Sequence, residues 1–390
     1  MLRAYFDNNA NTPVLPEVLE AMLPALNGAC GNPSSIHQRG QAAKAAMEQA
    51  RAEVAALINA PVSSVVFTSG GTESDNLAIR GLIGAWQEAH PQAPLPHLIT
   101  TRVEHHAVLN VFEDLERSGY PVTWLRPDLQ GRISAQAAAE AIRTDTALIS
   151  VMMANNETGV IQPVAEISSI AAQAKVAFHI DAIQAVGRIP VDVRTLNCTA
   201  LSLSGHKIHG PAGIGTLYVR RGARLRPQLF GGHHERDRRA GTENLPGILG
   251  LGTAARLARE HLDERAAHYA RLRDRLEATV LATVPRSGVA GADAPRVPNT
   301  SDIYFDGIEG EALVIGLDLH GFCASTGAAC SSGSIEPSHV LLAMGFPRSR
   351  ARACLRFSFA SQNTSQEVEA LLEILPALIE KQRKLAVGAA

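Results

Sequence analysis

The chain has 390 residues, 46% of them hydrophobic, which is enough for a large core and two domains. Lys+Arg number 36 against 38 Asp+Glu, and no long basic run argues for nucleic acid or a membrane surface as the main partner. The longest apolar stretches fall short of a membrane span, and Met1-Leu2-Arg3-Ala4-Tyr5-Phe6-Asp7 enters structure at once, so neither a membrane anchor nor a signal or transit peptide is expected.

The five cysteines (Cys30, Cys198, Cys323, Cys330 and Cys354) are odd in number and hold no Cys-x-x-Cys pair. That pattern disfavours a disulfide framework or a zinc site and suits a reducing cytoplasm. Asp7-Asn8-Asn9-Ala10-Asn11-Thr12-Pro13 reads as a polar turn, followed by a helix with Pro16 in its first turn and Val18, Met22 and Leu26 on one face. Gly31-Asn32-Pro33-Ser34-Ser35-Ile36-His37 is a loop ending in helix caps, and the alanine-rich helix after it turns Met47, Val54 and Leu57 inward. Val65-Val66-Phe67-Thr68 is a buried strand that runs into Ser69-Gly70-Gly71-Thr72, with a helix predicted over 77–88. Strand, glycine turn and helix N-terminus make an anion site, with Gly71 and Thr72 as a phosphate cradle; a Gly-Gly turn before a helix is otherwise an ordinary turn.

A strand over 98–101 leads to Glu104-His105-His106, where a helix begins. Adjacent histidines face different ways, which disfavours one metal held by both. One ring stacking on a flat ligand is the preferred reading, and a helix cap the plain one. Further strands are predicted over 122–125 and 147–152, with a helix near 134–142 between them. Met153-Ala154-Asn155-Asn156-Glu157-Thr158-Gly159 leaves the second of these as a polar cluster, at the strand end where open α/β sheets bind ligands. After a helix over 164–174, Asp181 sits in the apolar run Phe178-His179-Ile180-Asp181-Ala182. A carboxylate there needs a cation, either a protonated ring nitrogen or an arginine, unless it serves a strand-end turn.

The alternating run Ala200 to Leu203 reads as a strand that breaks at Ser204-Gly205-His206-Lys207. A lysine at the end of a buried strand can form a Schiff base with an aldehyde cofactor, and Ser204 and His206 suit that cofactor's phosphate. The bland alternative for Lys207 is a solvated loop lysine. The loop from Gly231 to Asn244 is charged and glycine-rich, and its alternating arginines and aspartates suggest ordered ion pairs at an interface. Helices over 248–261 and 263–284, a loop over 285–298, strands over 300–305, 322–324 and 355–359, and helices near 311–319, 338–344 and 365–384 form an α+β unit. Within it, Cys330 lies in Ala324-Ser325-Thr326-Gly327-Ala328-Ala329-Cys330-Ser331-Ser332-Gly333-Ser334, a stretch of small residues with nothing apolar to pack, which suits a mobile nucleophilic thiol. Cys198 and Cys354 lie in apolar runs and read as buried and inert. Arg356, in Leu355-Arg356-Phe357-Ser358-Phe359, is a cation in an apolar strand and would hold a carboxylate in its fork.

Taken in order, these motifs resemble the NifS/IscS group of cysteine desulfurases, pyridoxal 5'-phosphate (PLP) enzymes of the class V aminotransferase family. The likeness also draws on Arg239-Ala240-Gly241-Thr242-Glu243-Asn244 and runs nearly the whole chain. It departs at Asn11, where threonine is expected, at Gly71, where alanine is also common, and at Gly231-Gly232-His233-His234. The resemblance implies an α/β fold, the PLP-dependent transferase fold type I. A large PLP-binding domain with a mainly parallel sheet would span 16–260, and a smaller α+β domain, 1–15 and 261–390, would carry the mobile cysteine loop. It implies that Lys207 bears the cofactor, that Gly71, Thr72, Ser204 and His206 hold its phosphate, and that Thr242 reaches the phosphate of the other subunit of a homodimer. Asp181 would meet the pyridine nitrogen, Gln184 the ring hydroxyl and His105 the ring face, while Asn156 and Arg356 hold L-cysteine. Lys207, Cys330 and His105 would be catalytic, and an iron–sulfur scaffold or another acceptor would take the sulfur. The competing readings are a selenocysteine lyase or other PLP-dependent β-lyase, and a sulfur-carrier or scaffold-binding protein with a structural PLP site.

Overall fold

Seven strands form the central sheet, in the spatial order Val65–Thr68, Gly215–Val219, Ala200–Ser204, Ala177–Asp181, Thr146–Met152, His97–Thr101 and Val122–Leu125. The structure is a computed structural model that describes residues 3–28, 30–327 and 336–388. The five strands from Ala200–Ser204 to Val122–Leu125 are parallel, and Gly215–Val219 alone runs against its neighbours. Six strands therefore end at one edge, which gathers Thr68, Ser204, Asp181, Met152 and Thr101. Alternate residues of the strands divide between two cores. Val66, Leu98, Leu148 and Ala200 pack with Leu77, Ile79 and Phe112 on one face, while Val65, Ile99, Ile149 and Leu201 join a larger core with Val54, Ile248 and Leu251 on the other. Strands buried on both faces read in sequence as continuous apolar runs, which is why they were legible there.

A three-stranded antiparallel sheet, in the order Cys354–Ser358, Thr300–Phe305, Ser287–Val289, lies over its own core of Phe6, Leu276, Leu313, Phe322, Phe357 and Leu371. Helices Leu262–Thr283, Gly310–Leu319 and Ser365–Gly388 contribute to that core. The N-terminal turn is woven into this sheet. Ala4–Tyr5 pairs with Phe322–Cys323, Asp7 bridges to Ser358, and Asn9 Nδ2 donates to Thr300 Oγ1 at 2.9 Å and to the Asn156 carbonyl at 3.0 Å.

Three elements differ from the sequence reading. The helix predicted over 77–88 begins earlier, as Gly71–Ala89, because the second glycine of the turn already enters the first helical turn. Ser287–Val289 is a strand inside the expected loop over 285–298; its glycine, Gly288, faces the Tyr304 ring so closely that a Cβ would meet the hydroxyl at 2.2 Å. Leu26 is exposed rather than turned inward with Val18. Among the described residues, no helix is long and apolar enough to cross a membrane.

Candidate active site

A cavity of about 320 Å³ opens at the carboxyl edge of the central sheet. It is lined by ten of the residues singled out in the sequence: Gly71, Thr72, His105, Asn156, Asp181, Gln184, Ser204, His206, Lys207 and Arg356. They come from six separate stretches of chain, and the parallel sheet brings them to one edge.

Lys207 follows the strand Ala200–Ser204 through a single 3-10 turn, Gly205–Lys207. Its Nζ donates to the Asn9 carbonyl at 2.6 Å and the Ala10 carbonyl at 2.7 Å, so the amine is held in the cavity and the solvated-loop reading does not hold. Gly205 cannot carry a side chain, since a Cβ would stand 2.9 Å from Ile214 and 3.0 Å from the Pro211 carbonyl. Asn9 and Ala10 also line the cavity, and their role had no local signal in the sequence beyond a polar turn.

Asp181 ends the strand Ala177–Asp181 and is buried. No arginine pairs with it among the described residues; its Oδ1 accepts the Ile183 N–H at 2.9 Å. Burial raises its pKa to about 6, against the pull of that N–H and of the Lys207 charge. Behind it lie two acids to which the sequence reading gave no role. Glu104 accepts from Thr101 Oγ1 and Met152 N–H and is pushed by burial up to about 8. Asp75 lies 3.6 Å from His179 Nε2 and is raised well above the usual carboxylate range, first by burial and then by the Asp181 charge. His179, set between the Ser150 and Ser202 hydroxyls, is driven by burial down to about 3 and is neutral.

His105 is both helix cap and cavity wall. Its Nδ1 accepts the Ala107 N–H at 3.1 Å, which leaves the neutral ring its proton on Nε2. Burial, reinforced by Lys207, pulls it down to about 4. His106 turns instead toward the His339 ring, 4.8 Å away. The Gln184 amide is pinned at both ends: Nε2 donates to the Asn9 carbonyl at 3.0 Å, and Oε1 accepts from buried Arg188.

Arg356, buried in the strand Cys354–Ser358, donates from Nη2 to Asp7 Oδ1 at 2.7 Å and from Nη1 to the Asn156 carbonyl at 3.0 Å. Its Nε is buried with no acceptor among the described residues. Asn156 therefore presents its carbonyl to the arginine. Asp7, 349 residues away in sequence, supplies the partner that the strand could not reveal.

At the other end of the cavity the turn after Val65–Thr68 is braced by Glu73, which accepts the Ser69 N–H at 2.7 Å and pairs with both nitrogens of the Arg239 fork. Although burial opposes it, these donors hold the Glu73 carboxyl below its usual range. The Ser204 hydroxyl is buried and without a partner among the described residues. His206 Nδ1 lies 3.0 Å from Asn11 Oδ1. A helix N-terminus, two hydroxyls and an imidazole thus converge as an anion's donor set. A Cβ on Gly71 would lie 2.2 Å from Ile183 Cδ1. Gly71→Ala therefore requires only the end of the Ile183 side chain to shift and is expected to weaken cofactor retention by no more than about 1 kcal/mol, read by cofactor titration with thermal unfolding of the unloaded protein as control. Thr242 is exposed and outside the cavity. Cys330 lies outside the described residues. Cys198 and Cys354 are buried, and burial raises both thiols, Cys198 to about 12.

The chain belongs to the class V aminotransferase family, whose model matches residues 4–371. Within it, the chain is 48% identical over 382 residues to a cysteine desulfurase of Trichormus azollae, covering 98% of this chain and 94% of that protein. A solved NifS-like protein superposes with a TM-score of 0.90 at 34% identity, over 97% of this chain and all of the other. A structure described as SspA in complex with cysteine superposes with a TM-score of 0.80 at 36% identity, over 92% and 99% of the two chains. The resemblance read from the motifs and the fold type I architecture both hold.

Proposed function

We propose that this chain is a PLP-dependent cysteine desulfurase that converts L-cysteine to L-alanine and leaves the sulfur on Cys330 as a persulfide, for transfer to an iron–sulfur scaffold or another acceptor. The observation that carries the reading is one cavity in which Lys207, a buried Asp181 with no arginine on it and a Ser204 hydroxyl with no partner among the described residues converge with the Arg356 fork. Each end of the cavity matches one end of the reacting pair. Gly71, Thr72, Ser204 and His206 would hold the PLP phosphate, Asp181 the pyridine nitrogen, Gln184 the ring hydroxyl and His105 the ring face, with Lys207 at the aldehyde. When bound, PLP supplies an electron sink that makes the α-proton of an amino acid acidic.

The chain's own residues do the rest. Arg356 and Asn156 anchor the substrate carboxylate, which fixes the α-carbon beside Lys207. Lys207 Nζ, held by the Asn9 and Ala10 carbonyls, is the amine placed to move the α-proton. His105 enters as a neutral ring with its proton on Nε2, fit to donate that proton toward the substrate. The Cys330 thiolate attacks the substrate sulfur; the new S–S bond forms as the Cβ–S bond breaks, and protonation of the carbon left behind yields alanine. Asp181 balances the positive ring nitrogen throughout.

The exposed apolar side chains of Leu19, Leu23 and Phe230, the last 77% exposed, support a homodimer. In such a dimer Thr242, outside its own cavity, reaches the partner's phosphate. Free thiols suit a reducing cytoplasm. The test is product analysis from L-cysteine with a reductant present: alanine and sulfide in equal amounts support the reading, and sulfide with pyruvate makes the protein a β-lyase. Cys330→Ala is expected to keep the cofactor spectrum and lose persulfide formation, measured by thiol labelling and mass. Full turnover by that variant would remove Cys330 from the reaction and favour a selenocysteine-lyase type of chemistry.

A further inference from the structure

Asp302 stands directly opposite Arg356 in the antiparallel pair of Thr300–Phe305 with Cys354–Ser358. Cross-strand partners present their side chains on the same face. Asp302 is fully buried, and neither of its carboxylate oxygens has a hydrogen-bond partner among the described residues. The groups that face it are Glu157 from the turn after the strand Thr146–Met152, and Arg356 and Cys354 from the neighbouring strand. Arg356 is already paired with Asp7, while its buried Nε has no acceptor. One guanidinium thus serves Asp7, with the buried carboxyl of Asp302 opposite it across the strands and Glu157 acting on Asp302, and a substrate carboxylate must join them.

We propose that Asp302 is a positioning residue for the carboxylate clamp: as a neutral acid it leaves the charge of Arg356 to the substrate, and on ionising it competes for that charge. Three observations support this. The oxygens of Asp302 are orphaned, as they would not be if the residue were built as a permanent ion-pair partner. Arg356 lines the cavity, and its Nε has no acceptor among the described residues. Burial and then Glu157 push Asp302 up to about 8, with Arg356 acting against them, so that it is protonated at neutral pH. The sign follows from linkage. A ligand that binds the protonated form better loses affinity as pH rises through the Asp302 transition, and takes up a proton when it binds above it.

The inference rests on Arg356 holding the substrate carboxylate, so the test separates the two. The probe is propionate on the cofactor-loaded protein, a carboxylate with no amine or thiol that titrates between about pH 6.5 and 9.5. Binding is measured by calorimetry in buffers of different ionisation enthalpy. Relative to Asp302→Asn, the wild-type Kd is expected to rise about tenfold across that window, while the two proteins bind alike at its acid end. Any titration of the Lys207 linkage cancels in this ratio. Parallel pH profiles for the two proteins, or weaker binding by Asp302→Asn at the acid end, would overturn the inference. If Asp302→Asn does not load cofactor, the wild-type protein with its Lys207 linkage reduced by borohydride decides. Proton uptake on propionate binding that rises from near zero at the acid end to about half a proton just above the Asp302 transition supports the role, and flat uptake ends it. Arg356→Ala should abolish propionate binding at every pH; retained binding there would instead overturn the assignment of Arg356.

Discussion

Lys207→Ala is expected to lower L-cysteine turnover by about four orders of magnitude and to leave PLP bound but removable by dialysis. Turnover falls because the amine is the only lysine among the cavity-lining residues. Its place cannot be taken by His105, whose Nδ1 is committed to the Ala107 N–H. Cofactor retention survives because the phosphate donors are independent of the lysine: the helix beginning at Gly71 is braced by Glu73 and Arg239, and Ser204 is fixed by its strand. The fold should survive as well. Removing Lys207 frees the Asn9 and Ala10 carbonyls, but Asn9 stays held by Thr300, Asn156, Asn299 and Gln184. The measurement is rapid-mixing absorbance with product analysis, with thermal unfolding as control. Lys207→Arg should keep the charge and the two carbonyl contacts without restoring turnover. Normal turnover by Lys207→Ala would sink the assignment of the cavity.

The site was legible where one short segment carried its own contradiction. Lys207 after an apolar strand, Asp181 inside one and Arg356 inside another each put a charge where burial forbids it, and each lines the cavity. The partners were not legible, because they are set by pairing across the chain. Asp7 meets Arg356 and Asn9 meets Lys207 only because the N-terminal turn is stitched to the strand Cys354–Ser358 and to the Asn156 turn. Asp302 carried no such signal, because Thr300 and Ser301 before it make the run polar, and its meaning depends on strand register, which the sequence pattern alone does not fix. The sheet followed from its continuous apolar runs, whereas Ser287–Val289 was hidden in a stretch too short and too rich in small residues to show a period. The Gly231 to Asn244 loop was read as ordered by ion pairs at an interface, and two of its residues, Glu235 and Arg239, do pair, with Arg51 and Glu73, which lie more than 160 residues away.

That loop sets the second large effect. Glu235→Ala is expected to destabilise the protein by about 3–5 kcal/mol, although Glu235 lies outside the cavity lining. Arg51 and Glu235 form a buried two-bond pair at 2.7 and 2.8 Å, and Glu235 also accepts the Phe67 N–H at 2.9 Å. The Arg51 fork lies over the Phe67 ring, 4.5 Å from its centroid. Burial alone would weaken the basicity of Arg51; Glu235, helped by Glu48, more than reverses this, so deleting Glu235 leaves the buried fork with only the partly exposed Glu48 on its Nε. The pair also restrains the loop, because Glu235, Arg236 and Asp237 hold φ values of 46, 58 and 63°, a conformation that costs non-glycine residues roughly 1–2 kcal/mol each. Without the anchor the loop relaxes, and Arg239 withdraws from Glu73, which braces the turn before the phosphate cradle. Urea unfolding should therefore show a large drop in midpoint together with weaker PLP retention. Asp237→Ala, which breaks only the exposed pair with His233, should cost under about 1 kcal/mol. Replacing Arg51 and Glu235 together by Met and Leu should recover much of the lost stability, because no unpaired charge remains. It should not recover cofactor retention, since the loop would still lack the hydrogen bond to Phe67. Recovery of both would mean that the pair acts on the core alone and that the loop's posture does not reach the phosphate turn.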